Sequence, residues 1–299
     1  MFRLACIIAT KDRPFELSRL LNSIKEQDLP IHEIIIVDAG EASSFSLNAK
    51  AAAECSFKIK HLKASRACLP AQRNQGLSAV AADAPWICFL DDDIVLHKGA
   101  FGAMAAFWKD APEDIAGAVF NIMNEKRPTA GVFLKKFFYT GSWERGIVLP
   151  SGYNTLMCPS EETRQVQWLF GGATVWRRKV FEEFLFDDWF EKTGLCEDLD
   201  FSWRVGKKFR LFVVAGAKVD HLTGTIARRR NVWFGISQIK NRYYFVSKNN
   251  LSKALCWWAG LGQLLENIML GILSFNFHYF LRAWGNFVGF LETLLCSHN

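Results

Sequence analysis

No CxxC pair occurs in this chain, and its eight cysteines are scattered over 299 residues. That spacing argues against a zinc site or a disulfide framework. Several of the cysteines fall in apolar runs, so they are expected to be reduced and buried. GxGxxG and GxxxxGK[ST] are also missing. Without a glycine-rich phosphate loop, dinucleotide-dependent dehydrogenases and P-loop enzymes are disfavoured. The N-terminal apolar run, 4–9, is too short for the apolar region of a secretory leader, and the chain is expected to stay on the cytosolic side. Acids are scarce in one region: between Arg204 and Lys253 twelve Lys or Arg face a single acid, Asp220. Such asymmetry suits an anionic partner, whether phosphates, nucleic acid or an acidic membrane surface; an ordinary solvated basic face is the plainer alternative.

Apolar residues are plentiful. Half the chain is hydrophobic, with 11 Trp and 26 Phe, and the net charge is +6. The length allows about two domains, or one large domain with an appendage. Strand and helix patterns alternate through the first hundred residues. Residues 2–9 predict a buried strand, and Arg13-Pro14 opens a helix, proline suiting its first turn. The EIIIV run at 33–37 predicts a second strand, almost continuously apolar as a parallel strand covered on both faces would be. A helix over 69–82 begins with Pro70 and carries Arg73 and Asn74 in its first turns. This alternation implies a parallel, doubly wound α/β sheet.

The sequence WICFLDDDIVLH at 86–97 is the centre of the site. A buried strand ends there in Asp91, Asp92 and Asp93. Along an extended chain Asp91 and Asp93 point to one side and Asp92 to the other. Two hard oxygen ligands on one side suit Mg²⁺ or Mn²⁺ with substrate phosphates, and the carboxyl ends of strands are where open α/β sheets bind ligands. A solvated acidic turn is the bland alternative. Asp38, after the second strand, is placed to accept hydrogen bonds from a ribose or base edge, or simply forms a turn before glycine. Arg73 near a helix start can meet a phosphate, or be an exposed helix arginine.

Residues 121–165 are rich in glycine and proline and predict a long irregular, substrate-facing segment. The run 166–177 predicts a strand interrupted by Gly171-Gly172, where backbone approaches a ligand or another strand, and 178–184 a helix. Glu197, Asp198 and Asp200 precede a predicted helix. They can serve its dipole or supply a general base. A strand over 210–215 leads to Asp220-His221, whose imidazole can complete an oxygen-rich metal site or be structural. Residues 231–249 predict a basic, aromatic helix. From 251 onward the chain is strongly apolar but interrupted by Gln263, Glu266, Asn267, Arg282 and Glu292. One or two helices lying in a membrane interface are expected rather than a clean span; a core helix pair is the alternative.

In order, these pieces resemble the family 2 glycosyltransferases, inverting enzymes of the GT-A fold. IIATKDRP is similar to the family's first strand and nucleotide-contacting loop. IIIVDAG resembles the strand ending in its nucleotide-binding Asp, and PAQRNQGL its Ala-Arg-Asn-x-Gly segment, with Gln72 where Ala is usual. FLDDD resembles its DxD motif, FGGATVWRRKVF its acceptor-side Gly-Gly segment, CEDLDFSWRV its Glu-Asp motif, and KNRYYFVSKN a segment common in members acting at membranes.

The resemblance implies a GT-A doubly wound mixed sheet with a Rossmann-like nucleotide-binding half at 1–95. An acceptor-binding half would follow at 96–228, and a membrane-associating apolar helical extension at 229–299. It implies a donor site of Thr10, Arg13, Asp38, Arg73, Asn74 and Asp91, with Asp38 on the base and Asp91 on the ribose. Asp93 and His221 would hold Mg²⁺ or Mn²⁺, Gly171, Gly172 and Glu197 would line the acceptor side, and Asp198 would be the base. The expected partners are a UDP-, dTDP- or GDP-sugar, a glycan or lipid-linked acceptor and a membrane surface, with no nucleic acid. The expected place is the cytoplasmic side of a membrane, peripheral or monotopic. Two other readings are a haloacid-dehalogenase-type phosphohydrolase and an inactive membrane-bound nucleotide-sugar binder. The first needs Thr where Val95 stands; retention of the DxD acids and Asp198 argues against the second. A sugar-1-phosphate nucleotidyltransferase would need a glycine-rich N-terminal signature that is not present.

Overall fold

The computed structural model describes residues 2–125, 131–190, 194–222 and 231–296. They fall into two compact units. The first comprises Met1–Lys126 and Met157–Thr223, the second Arg127–Leu156 and Gly224–Asn299.

The first unit is built on strands β1 (Leu4–Thr10), β2 (Glu33–Asp38), β3 (Ile59–Lys63), β4 (Trp86–Asp91), β5 (Ile94–Leu96), β6 (Ile115–Ile122), β7 (Arg164–Val166), β8 (Ala173–Arg177) and β9 (Arg210–His221). Its helices are α1 (Pro14–Lys25), α2 (Ala42–Ala53), α3 (Leu69–Ala79), α4 (Ala100–Lys109) and, after the second unit's α5 (Val132–Phe137), α6 (Glu197–Gly206). The second unit continues with α7 (Asn231–Lys248), α8 (Lys253–Ser274) and α9 (Phe277–Cys296).

The sheet runs β3-β2-β1-β4-β8-β6-β9-β5, with β7 on β9. The first four strands are parallel; β1, β2 and β4 are buried along nearly their whole length, as strands covered by helices on both faces are, whereas edge strand β3 is half-buried. Cys6 faces Ile34 on one side and Cys88 on the other, all buried. The parallel run ends at β4, in keeping with the mixed sheet the resemblance implies. There β8 inserts antiparallel between β4 and β6, making the sheet mixed.

Several boundaries differ from expectation for identifiable reasons. The helix predicted over 69–82 stops at Ala79. Lys60 Nζ takes the Ala79 carbonyl at 2.6 Å, Val80 turns extended, and buried Glu33 accepts the Ala81 amide at 2.5 Å. The strand predicted over 166–177 is two strands, β7 and β8, with different partners. The residues between them, Gly171-Gly172 included, line the site instead. The helix expected over 178–184 is a short 3-10 turn, Arg178–Glu182. The strand expected to end at 215 continues to His221, because β6 and β5 flank its second half.

The acids expected to precede a helix lie inside its first turn. Cys196, at φ 72°, holds the left-handed turn that starts α6 at Glu197. In the second unit the apolar tail is two long helices joined at Phe275 and Asn276. No helix among the described residues is long and apolar enough to cross a membrane.

Candidate active site

The carboxyl ends of the parallel strands carry the chemistry. Asp91 is the last residue of β4 and Asp93 precedes β5. The antiparallel pairing of β5 with β9 sets Ile94 opposite His221, and the Leu222 amide donates to the Asp93 carbonyl at 2.9 Å. Register therefore delivers the imidazole to the acids from 128 positions further along the chain. One ligand atom each from Asp91, Asp93 and His221 lies within 4.8 Å of the others. Two carboxylates and an imidazole at that separation fit a hard divalent cation that leaves further positions for substrate oxygens.

Asp92 points the other way, as the alternation requires. It is 3% exposed and accepts from Thr10 Oγ1 at 2.7 Å and Arg13 Nη1 at 2.6 Å. The other guanidinium nitrogen of Arg13 donates to Asp93 at 2.9 Å. Arg13 thus stitches the β1–α1 loop to the acidic turn. Burial pushes Asp92 up to about 7 despite Arg13 and Thr10. For Asp93, burial also pushes upward, but His221 and Arg13 outweigh it and the net shift is down. His221 shows the mirror image. Burial disfavours its charged form, yet the Asp93 hydrogen bond and charge raise it.

A second network adjoins the first. Arg73 is buried, donates to Asp91 at 2.9 Å and is paired with Glu197. Asp198 is half-buried and accepts from the Gly171 amide at 3.1 Å and the Leu199 amide at 2.8 Å. One guanidinium faces three carboxylates here. Burial, reinforced by Asp198 and Asp91, raises Glu197 to about 8 in spite of Arg73. Burial likewise raises Asp198, against the pull of the Gly171 amide and Arg73. A carboxylate raised above its ordinary range is a better proton acceptor than a free one.

Both glycines of Gly171-Gly172 are required by space. A Cβ on Gly171 would lie 2.6 Å from Arg73 Nη1 and 2.8 Å from Asp198 Cβ, and one on Gly172 would lie 2.1 Å from Asp91 Oδ2. The close approach predicted from sequence is therefore to the acids and Arg73.

Thr10, Arg13, Arg73, Asp91, Asp93, Gly171, Gly172, Glu197, Asp198 and His221 form one connected cluster. Two other expected residues direct their side chains elsewhere. Asp38 is fully buried; one oxygen accepts the Gly40 amide at 2.7 Å, the other Asn48 at 2.7 Å and His61 at 3.1 Å. Asn74 donates to the Phe186 carbonyl at 2.8 Å and accepts the Phe186 amide at 3.1 Å, fixing that loop. Sequence reasoning missed His61, which stacks on Phe45 at 4.1 Å. It also missed Gln72, whose amide donates to the Thr10 carbonyl at 3.1 Å and the Val37 carbonyl at 2.9 Å. The one signal for Gln72 was its departure from the usual Ala.

A mixed sheet with a DxD turn, a trailing histidine and an acid at a helix start defines a glycosyltransferase of the GT-A fold. The chain belongs to glycosyl transferase family 2, whose sequence model matches residues 5–185. Solved structures share the fold at low identity. A mannosyltransferase, PcManGT from Pyrobaculum calidifontis, in complex with GDP-Man and Mn²⁺, superposes with TM-score 0.59 at 11% identity, covering 97% of this chain and 87% of that one. GalNAc-T7 with UDP, GalNAc and Mn²⁺ gives 0.58 at 16%, covering 92% of this chain and 58% of that one. S. aureus TarS 1-349 gives 0.54 at 14%, covering 90% and 74%. A comparison with curated protein sequences returns no match.

Proposed function

We propose that the chain transfers a sugar, with inversion, from a nucleotide-sugar donor to a hydroxyl of a glycan or lipid-linked glycan. The observation that carries this reading is the meeting of Asp91, Asp93 and His221 beside Asp198 at the carboxyl edge of the sheet. The donor is proposed to be a UDP-, dTDP- or GDP-sugar; similar structures that contain GDP-Man or UDP with Mn²⁺ support a nucleotide sugar of the UDP or GDP kind. A divalent cation, Mg²⁺ or Mn²⁺, held by Asp93 and His221 would neutralise the diphosphate as it leaves. Asp91 would hold the ribose, and Arg73 fixes Asp91 from behind. Thr10, Arg13, Asp38 and Asn74 would shape the nucleotide side. With the leaving group stabilised by charge, no second acid is needed. Asp198 takes the proton of the acceptor hydroxyl as that oxygen attacks the anomeric carbon from the face opposite the diphosphate, which inverts the centre. Gly171, Gly172 and Glu197 would border the acceptor.

Residues 1–228 are proposed as the catalytic domain, with 1–95 holding the nucleotide and 96–228 facing the acceptor. The junction with 229–299 lies outside the described residues. The protein is proposed to act as a peripheral or monotopic enzyme on the cytoplasmic side of a membrane, in polysaccharide biosynthesis. A screen of nucleotide sugars for Mg²⁺- or Mn²⁺-dependent binding and slow hydrolysis tests the assignment. Release of nucleoside diphosphate from one donor class is expected. Hydrolysis of simple phosphomonoesters with no donor binding would refute it.

A further inference from the structure

Buried amides bridge the helices of the second unit, among apolar neighbours such as Ile236, Ile239 and Ala259. Asn267 of α8 and Asn286 of α9 are buried, and the first donates to the second at 2.7 Å. Asn286 in turn donates to the Gly235 carbonyl of α7 at 2.9 Å and to Gln238 at 3.1 Å. Glycines close the seam. A Cβ on Gly235 would lie 2.3 Å from the Arg282 carbonyl, and one on Gly285 would lie 2.2 Å from the Val232 carbonyl. Small residues and amide bridges at helix contacts are how helices associate when apolar burial gives no drive between them.

The outward faces are apolar. On α8 the exposed residues include Leu261 (38%), Leu265 (45%), Met269 (41%) and Ile272 (59%), one stripe at helical spacing. On α9 they include Phe280 (38%), Trp284 (57%), Phe287 (44%) and Leu291 (46%). The turn between them presents Leu273 (70%), Phe275 (96%) and Phe277 (69%). From residue 254 to 296 the only Asp, Glu, Lys or Arg are Glu266, Arg282 and Glu292. A patch of this size is far larger than isolated surface hydrophobes explain.

Charge selects the occupant. Residues 231–265 contain Lys240, Arg242, Lys248 and Lys253 and no acid. Lys248 and Lys253 are exposed and sit beside the rings of Tyr244 and Tyr243, at 5.7 and 6.0 Å. Cations and tyrosines bordering a Leu/Phe/Trp surface match the headgroup level of an anionic bilayer.

We infer that the α8–α9 hairpin embeds its tip and outward stripes in one leaflet of an anionic membrane, as a monotopic anchor held shut by the Asn267–Asn286 seam. Neither helix is apolar enough to span, and an interfacial position leaves Glu266, Arg282 and Glu292 near water. This rests on the membrane reading of the function above and names the element responsible.

The test is flotation of the full chain with phosphatidylcholine vesicles, with and without 30 mol% (about one lipid in three) phosphatidylglycerol. The second arm uses the triple variant Leu273→Ser/Phe275→Ser/Phe277→Ser, and the third Lys248→Glu/Lys253→Glu. Wild type should float with the anionic vesicles. The triple variant should lose at least about tenfold in partitioning, and the charge variant should lose its preference for anionic lipid. Metal-dependent donor binding, measured on every variant, reports that the fold persists. Wild type remaining unbound overturns the inference. So does light scattering that shows a stable dimer in detergent-free buffer, made monomeric by the triple variant, because a second copy would then cover the face. Vesicle binding without donor turnover would instead leave the anchor standing and refute the transferase reading.

Discussion

Asp198 receives two backbone amides, from Gly171 and Leu199, and burial raises its proton affinity. Those amides fix its direction and leave it able to take the proton in the role proposed for it. Asp198→Asn keeps the shape and one acceptor oxygen but cannot take a proton. Its kcat is expected to fall by about 10²–10⁴-fold while donor affinity, measured calorimetrically, stays within about twofold; near-normal turnover would remove the base assignment. Gly172→Ala attacks a neighbouring point. The Gly172 carbonyl is held by the Asp91 amide at 2.8 Å, so the backbone cannot retreat and the Asp91 carboxylate must move instead. That breaks its bond to Arg73. A loss of about 1–3 kcal/mol in urea unfolding is expected, together with weaker donor binding. An unchanged midpoint and donor affinity would show that the crowding is relieved elsewhere. His221 sets a pH dependence. Its pKa is raised from 6.5, so the stability it contributes as a cation beside Asp93 is complete below that ordinary value and is lost as pH rises through the raised one. Cation binding runs the other way, because only neutral imidazole ligates. Mn²⁺ affinity, followed by electron spin resonance, should rise by about tenfold per pH unit until His221 is deprotonated. A flat profile would take His221 out of the ligand set.

At the scale of elements, much of the site was legible because its parts lie at the ends of strongly patterned segments. The EIIIV and WICFL runs have the almost continuous apolar character of strands covered on both faces, so the positions of Asp38 and Asp91 followed directly. The opposite directions of Asp91/Asp93 and Asp92 followed from strand alternation. What Asp92 does was not legible, since Thr10 and Arg13 reach it across 82 and 79 positions of chain. The same holds for His221, which is beside Asp93 only through the β5–β9 register. The strand expected over 166–177, interrupted at Gly171-Gly172, is broken there as read, but the two pieces pair with different strands, β9 and β4, which local sequence does not show. Gln72 is the clearest case of an element joint hidden from sequence. It lies on α3, in a segment whose usual residue there is Ala, and ties the ends of β1 and β2 together. Gln72→Ala leaves the Thr10 and Val37 carbonyls without that donor and should cost about 1–3 kcal/mol. Thermal unfolding with intact donor binding at saturating nucleotide would confirm a purely structural joint; no loss of stability would show that water replaces the amide.

For the molecule as a whole, the division into two compact units makes a prediction about where ligand stabilisation appears. Every residue of the Asp91–Asp93–His221 and Arg73–Asp198 networks belongs to the first unit, whereas the helical hairpin belongs to the second. Free energy gained by binding protects only the structure that must open for the ligand to leave. At about one hundred times the dissociation constant that gain is about 2.7 kcal/mol, or roughly a hundredfold slowing of amide exchange in segments that open with the site. Hydrogen exchange with Mn²⁺ plus UDP, and separately Mn²⁺ plus GDP, should slow exchange at the end of β4, at the end of β9 and at the start of α6 with one of the two nucleotides. Exchange in α8 and α9 should stay at its ligand-free rate. Asp93→Ala should abolish the effect, because the nucleotide then lacks the cation that couples its diphosphate to the acidic turn. If Asp93→Ala retained full protection, the diphosphate would be held by Arg13 and Arg73 without a metal, and the donor site would have to be redrawn around those two guanidinium groups. If protection instead extended evenly through α8 and α9, the hairpin would open together with the first unit, and donor binding would be felt in the element proposed to meet the membrane.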